Sequence, residues 1–403
     1  MSSSSTPTGQ PPLSQALILL MSVATGVAVA SNYYAQPLLQ TIADQFGLSL
    51  TDAGTIVTAA QLGYGLGLFL LLPLGDLLEQ RRLIVGMILL SGVGLVISGL
   101  ATGLPWLLLG TAMTGLFSVA AQIMVPLAAT LAAPEQRGRA VGTLMSGLLL
   151  GILLARTVAG AISSIADWRM VYLLAAGLMF ITALALARSL PRYRQNAGLR
   201  YGQLLRSALA LFAQEPLLRK RSLMGFLVFA NFSLFWTPLA FLLSAPPYDY
   251  SDAIIGLFGL AGAFGALAAS LAGRLADRGR SRLAGILGLG GMIGSWCVLA
   301  FAPVSLAALI IGILVLDFAL QLLHVSNQSA IFKLRPEVRN RLNSGYMTCY
   351  FTGGALGSLT AAGLFQHYGW TGITCAGLTL SALALLVGWA ELRTAPAAAD
   401  IQP

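Results

Sequence analysis

Charge is scarce in this 403-residue chain: 9% of its side chains are charged, against about 25% in soluble domains. A surface facing water on all sides is excluded. Lysine occurs only at Lys220 and Lys333, and no Gly-x-x-x-x-Gly-Lys-Ser/Thr run exists, so there is no loop to cradle nucleotide phosphates. Histidine occurs only at His324 and His367, and neither His-Glu-x-x-His nor Gly-x-Ser-x-Gly is present. Little is left from which to build a hydrolase or a metal centre. The three cysteines, Cys297, Cys349 and Cys375, all fall in apolar helical runs, which implies no disulfide framework. No cofactor is expected.

What is abundant is apolar length. Apolar residues make up 57% of the chain, and the stretch from Leu83 to Pro134 holds no charged side chain. About 20 predominantly apolar residues span a bilayer, and Pro105 divides that stretch in two. The same criterion predicts twelve transmembrane spans, near residues 14–36, 52–74, 83–103, 105–131, 139–164, 168–190, 220–244, 252–272, 283–302, 304–332, 342–366 and 369–391. The fold expected is an all-α membrane protein.

Cytoplasmic loops hold an excess of Lys and Arg. With the N-terminus inside, all but two of the 23 Lys and Arg fall in cytoplasmic segments, Arg156 and Arg169 being the exceptions. Asp44, Asp52, Asp167, Asp249 and Asp252 fall outside. Both termini are therefore expected in the cytoplasm. The net charge of +9 then reflects topology and contact with anionic lipid headgroups, with no nucleic acid required. Residues 1–13 are rich in Ser, Pro and Gly and read as a disordered tail. They lack the basic n-region of a secretory signal, so cleavage after Ala30 is not expected.

The chain repeats itself. Pro134-Glu135-Gln136-Arg137-Gly138-Arg139 recurs as Pro336-Glu337-Val338-Arg339-Asn340-Arg341, at an offset of 202 residues. Met145, Gly151 and Trp168 recur as Met347, Gly353 and Trp370 at the same offset, and Pro37 and Asp76 recur as Pro238 and Asp277 at 201. The implied organisation is a tail (1–13), a six-helix bundle (14–190), a linker (191–216) rich in arginine, a second six-helix bundle (217–391) and a tail (392–403). Two parallel repeats of this kind are related by an axis along the membrane normal and surround a central cavity.

With these landmarks in place, the chain resembles the major facilitator superfamily over nearly all its length outside the tails. The family's loop between helices 2 and 3 is present in degenerate form as Pro73-Leu74-Gly75-Asp76-Leu77-Leu78-Glu79-Gln80-Arg81-Arg82, and again as Gly273-Arg274-Leu275-Ala276-Asp277-Arg278-Gly279-Arg280. The first copy departs from the pattern at Leu72 and Leu77. The resemblance implies a conformational latch from Asp76, Arg81, Asp277 and Arg278, with Asp76 meeting the N-terminal end of helix 11 near Asn343. A carboxylate there gains about 0.3 to 1 kcal/mol; the plainer alternative is a solvated loop acid.

Charged side chains at mid-bilayer cost about 2.5 to 3.5 kcal/mol on insertion scales, so those retained face a cavity, pair or do work. Two stand out, Arg156 on helix 5 and Asp317 on helix 10, and the repeat maps them to uncharged Ser358 and Gly115. Asp317, Gln321, His324 and Gln328 follow at i, i+4, i+7 and i+11, one face of a helix. By resemblance, helices 1, 4, 7 and 10 line the cavity, and Gln122, which the repeat maps to His324, faces it. Further cavity candidates are Asn32, Tyr33, Gln36, Gln61, Tyr64, Asn231, Trp236, Asn343, Tyr346 and Tyr350; for any one of them the alternative is an interhelical hydrogen bond.

Arg156 and Asp317 suggest a switchable pair, Asp317 taking a proton when the pair opens, because burial raises a carboxylate pKa and a nearby cation lowers it. A permanent structural ion pair is the alternative. The glycines at 142, 147 and 151 and at 353, 354 and 357 predict close helix packing where the two halves slide.

The function implied is secondary transport by alternating access, with proton-coupled efflux of drugs, sugars or metabolites first. A proton symporter or a facilitator importing a small polar or anionic solute comes second, and an intramembrane enzyme third. The drug-proton antiporters of the family carry an Arg on helix 4 and a Gly-Pro pair on helix 5, where this chain has Thr111 and Gly151-Ile152. The expected setting is a bacterial inner membrane, as a monomer among lipids, with a small-molecule substrate and protons as partners.

Overall fold

The computed structural model describes residues 14–133, 136–194, 200–262, 265, 268, 271–272, 274–275, 281–335 and 338–394. Among them the chain is helical throughout, and the nearest approach to a sheet is a single bridge between Glu79 and Arg194. The helices are α1 (Gln15–Ala30), α2 (Leu39–Phe46), α3 (Leu50–Leu70), α4 (Gln80–Gly99), α5 (Leu104–Ser118), α6 (Ala120–Leu131), α7 (Arg137–Ile165) and α8 (Arg169–Ser189) in the first half. After α9 (Tyr201–Gln214) come α10 (Pro216–Trp236), α11 (Leu239–Leu243), α12 (Asp252–Leu257), α13 (Ser281–Leu299), α14 (Leu306–Phe332) and α15 (Arg339–Thr394).

Local chemistry sets several boundaries. Ser14, Ser49 and Ser305 cap α1, α3 and α14 by accepting from the amides of Leu17, Asp52 and Ala308, which satisfies donors the helix itself leaves free. Gly47 follows α2 in the left-handed region, at φ +62°, which glycine adopts without a Cβ penalty. The span expected over 14–36 stops at Ala30 and resumes as a 3-10 turn, Gln36–Leu38, containing Pro37. Its repeat counterpart Pro238 lies between α10 and α11. A ring without an N–H cannot continue the ladder.

Among the described residues nine helices are long and apolar enough to cross a membrane, and two shorter apolar helices, Gln15–Ala30 and Asp252–Gly262, accompany them. One of the nine, Arg341–Gly388, is broken at Gly369, whose φ of +59° is not helical. Large apolar side chains such as Leu19, Leu178, Ile181 and Leu386 point outward, where a lipid environment accepts them.

Within the first half α1 packs on α7, α3 on α5, and α4 on α5 and α8; within the second, α10 packs on α15 and α13 on α14. The halves meet along two seams, α3 with α15 and α7 with α12. The glycine runs expected at the sliding boundary are found instead inside each half. A Cβ on Gly151 would lie 2.2 Å from the Gly26 carbonyl on α1, and one on Gly353 would lie 2.1 Å from the Phe226 carbonyl on α10. Their small size lets helices of the same bundle touch backbone to backbone.

Helix α9 occupies most of the stretch expected as the linker. Leu204, Ala208 and Leu211 are buried from a helix whose other face is exposed. Tyr201 donates to the Leu70 carbonyl of the first half at 2.7 Å, and Ser207 accepts from Arg341 of the second at 3.3 Å.

Candidate functional site

A cavity of about 710 Å³ lies between the halves. Its lining runs from Asp76, Gln80, Arg339 and Arg341, at the arginine-rich end of the bundle, to Tyr33, Arg156 and Asp317 in the interior. Beyond that point the aspartate-bearing end is closed by contacts between the halves. Thr41 and Ser163 each donate to the Asp252 carboxylate at 2.7 Å, Thr157 donates to the Gly256 carbonyl at 3.0 Å, and Thr51 donates to Gln366 at 2.8 Å. The chamber is one-sided.

Of the residues singled out from the sequence, Tyr33, Tyr64, Gln122, Arg156, Asp317, Gln321, His324, Gln328, Asn343 and Tyr350 line this chamber. The polar stripe of α14 faces it along the whole run from Asp317 to Gln328. Gln122 donates to the Tyr64 hydroxyl at 3.1 Å, and Gln328 donates to the Asn343 side chain at 3.2 Å. His324 lies 3.0 Å from the Tyr346 hydroxyl through Nδ1, with its ring 4.5 Å from that of Tyr350.

The interior end carries the unusual chemistry. Arg156, on α7, is 3% exposed, and its Nε donates to Gln36 Oε1 at 2.5 Å. The guanidinium lies over the rings of Trp236, at 4.1 Å, and Tyr33, at 4.9 Å, so aromatic quadrupoles supply part of its solvation. Asp317, on α14, is 7% exposed and accepts from Trp236 Nε1 at 3.3 Å. Trp236 thus serves both charges, offering its face to one and its N–H to the other. No ion pair joins Arg156 directly to Asp317 in this conformation.

Other expectations need correction. Asn231, expected on the cavity wall, is fully buried inside the second bundle, where its Oδ1 accepts from Trp296 Nε1 at 2.9 Å and from Ser381 at 3.3 Å. The face of α10 toward the chamber is set by Phe229 and Phe232, and Asn231 lies off that face. Asn32 donates to Ser118 at 2.8 Å, and Gln61 is enclosed; neither lines the chamber, and Tyr346 stands behind His324 and Tyr350. Of the latch set, Asp76 stands at the chamber mouth, where the charge of Arg341 acts on it. Near Arg81 the ion pair belongs to Arg82, which meets Glu79 at 3.1 Å. Asp277 and Arg278 lie outside the described residues.

An aromatic wall completes the chamber beyond the residues expected from the sequence. Phe229, Phe232 and Phe351 line the chamber, with Phe229 stacked on Tyr350 at 4.2 Å. The spacing of Phe229, Phe232 and Trp236, at i, i+3 and i+7, was available as a signal. Among the described residues no cluster of His, Cys, Asp and Glu could hold a metal ion.

A model of the Major Facilitator Superfamily matches residues 21–299 and 222–402. The chain is 56% identical over 377 residues to the uncharacterized transporter YgaY of Escherichia coli O157:H7, covering 94% of this chain and 96% of that one. It is 26% identical over 383 residues to the chloramphenicol resistance protein of Streptomyces lividans, covering 92% and 95%. Among solved structures it is similar to a bacterial homolog of the human lysosomal transporter Spinster in an inward-facing and occupied conformation. There the TM-score is 0.77 at 15% identity, over 96% of this chain and 98% of that one.

Proposed function

This chain belongs to the major facilitator superfamily, and on that premise we propose that it moves a small organic molecule by alternating access, driven by protons that load at Asp317. It is a multi-pass membrane protein and a transporter, not an enzyme. The observation that carries the proposal is the pair of buried, opposite charges at the closed end of a one-sided chamber. Retaining both is costly in a bilayer, and Trp236 is in contact with each of them. A proton arriving at Asp317 changes the balance of the whole interior end.

Twelve crossings follow if the helix broken at Gly369 counts as two and both shorter apolar helices cross. Both ends of the chain then lie on the arginine-rich, cytoplasmic side of a bacterial inner membrane, and the chamber is open inward. We take export of drugs, sugars or metabolites as the direction, in keeping with the name of the Streptomyces lividans relative. The second reading, uptake of a small anionic solute with Arg156 as its anchor, is favoured by one observation: the Nη2 group of Arg156 is buried with no hydrogen-bond partner.

The test uses cells carrying the chain or an empty vector, exposed to labelled chloramphenicol or to a pentose. Lower accumulation is expected, reversed by a protonophore and by Asp317→Asn. Accumulation that is equal in both strains and indifferent to the protonophore for every compound would overturn the export proposal.

A further inference from the structure

We infer, on the second reading above, that the interior end of the chamber is a carboxylate site and that the cargo is an organic monoanion with a flat, apolar body. Arg156 carries five N–H donors, of which Nε is committed to Gln36. Nη2 of Arg156 and Nε2 of Gln36 are both buried without partners. The two groups are joined by that single hydrogen bond, so their spare donors belong to neighbouring side chains at the interior end. The flat face of the guanidinium is already occupied by Trp236 and Tyr33. Its edge is what remains, and an edge of paired N–H groups fits the two oxygens of a carboxylate.

The rest of the chamber describes the body of the ligand. Phe229, Phe232, Tyr350 and Phe351 form an apolar, ring-lined wall beside the charged end. The volume of about 710 Å³ lies within the range of drug-sized ligand pockets. Gln122 and His324 stand farther along the lining and offer hydrogen bonds to a polar substituent. A neutral sugar would leave the Arg156 charge unpaired, and a cation would meet it.

Asp317 decides the sign of the coupling. Its carboxylate already balances Arg156 across Trp236, so a second carboxylate at the guanidinium edge adds an uncompensated negative charge. A proton on Asp317 removes that conflict. Anion and proton therefore occupy the chamber together, the loading that uptake requires and exchange forbids. Asp317 acts here as a specificity residue, opposing the anion until it is protonated.

The experiment measures binding to the purified full chain in nanodiscs for benzoate, cinnamate and 4-phenylbutyrate, each beside its neutral amide and the matching amine. At least one carboxylate is expected to bind tenfold or more tightly than its amide and its amine. Arg156→Gln should lose that preference, Gln36→Leu should weaken it severalfold, and Asp317→Asn should tighten carboxylate binding threefold or more. Circular dichroism and melting of each variant separate misfolding from loss of the site, and Gln36→Leu carries the test if Arg156→Gln fails to fold. No preference for any carboxylate, or a weakening by Asp317→Asn, would overturn the inference. If that happens while protonophore-sensitive transport of chloramphenicol persists, the carboxylate site falls and the transporter reading stands. Carboxylate binding without transport of any compound would support the site and sink the transport cycle proposed above.

Discussion

The hydroxyl of Thr41 donates a 2.7 Å hydrogen bond to the carboxylate of Asp252, across the boundary between the two halves. Ser163 donates to the same oxygen at the same distance. Hydrogen bonds to a charged acceptor contribute about 1.5 to 3 kcal/mol each, so losing both should shift the balance of conformations tenfold or more. Asp252→Ala is expected to populate a state open at the aspartate-bearing end. Spin labels placed at Asp44 and Ala245 would report it as a longer distance. An unchanged distance distribution would show that Asp252 does not hold this end.

Two glycines bring the same seam into backbone contact. A Cβ on Gly256 would sit 2.4 Å from the carbonyl oxygen of Arg156, and one on Gly160 would sit 2.1 Å from that of Asp252. Backbone atoms on both sides leave no flexible side chain to yield. Gly256→Ala should therefore keep the halves from closing and cut transport tenfold or more. Gly177→Ala, with nothing within 4 Å of the added methyl, should leave it unchanged. Equal transport rates for the two variants would count against tight closure as a step in the cycle.

The global architecture was legible because it is written in periodicity. Apolar runs each constrain a whole helix, and the α14 stripe from Asp317 to Gln328 needed only a 3.6-residue period. Asn231 was misplaced for a reason of rotation: a single Asn on an apolar helix carries no mark of which side it faces, and the neighbouring Phe229 and Phe232 settle the matter. The relation of Arg156 to Asp317 was visible only as two opposite charges. That one indole touches both depends on the side-chain reach of a third helix, which no spacing within one helix encodes. The glycine runs gave close packing correctly and its location wrongly, since a small residue says that something is near without saying what.

Asn231 offers a test of that correction. Asn231→Ala leaves the buried Trp296 N–H without its 2.9 Å acceptor, at a cost of about 1 to 3 kcal/mol. The variant is expected to melt a few degrees lower while binding cargo within twofold of the parent. Melting in detergent, run beside a binding titration, separates the two. A large loss of affinity at unchanged melting temperature would return Asn231 to the cavity wall.

Asp76 stands at the chamber mouth with Arg341 as the cation that acts on it, at the start of the helix that also carries Asn343. If the contact between this loop and α15 forms and breaks during the cycle, its loss affects the rate of interconversion rather than the affinity for cargo. Asp76→Asn is expected to lower kcat severalfold in proteoliposomes and leave KM nearly unchanged. Arg341→Gln should do the same, and the double variant should be no slower than either single one, because each removes the same interaction. Effects that multiply would mean that the two residues act separately, and wild-type rates in Asp76→Asn would reduce it to a solvated loop acid.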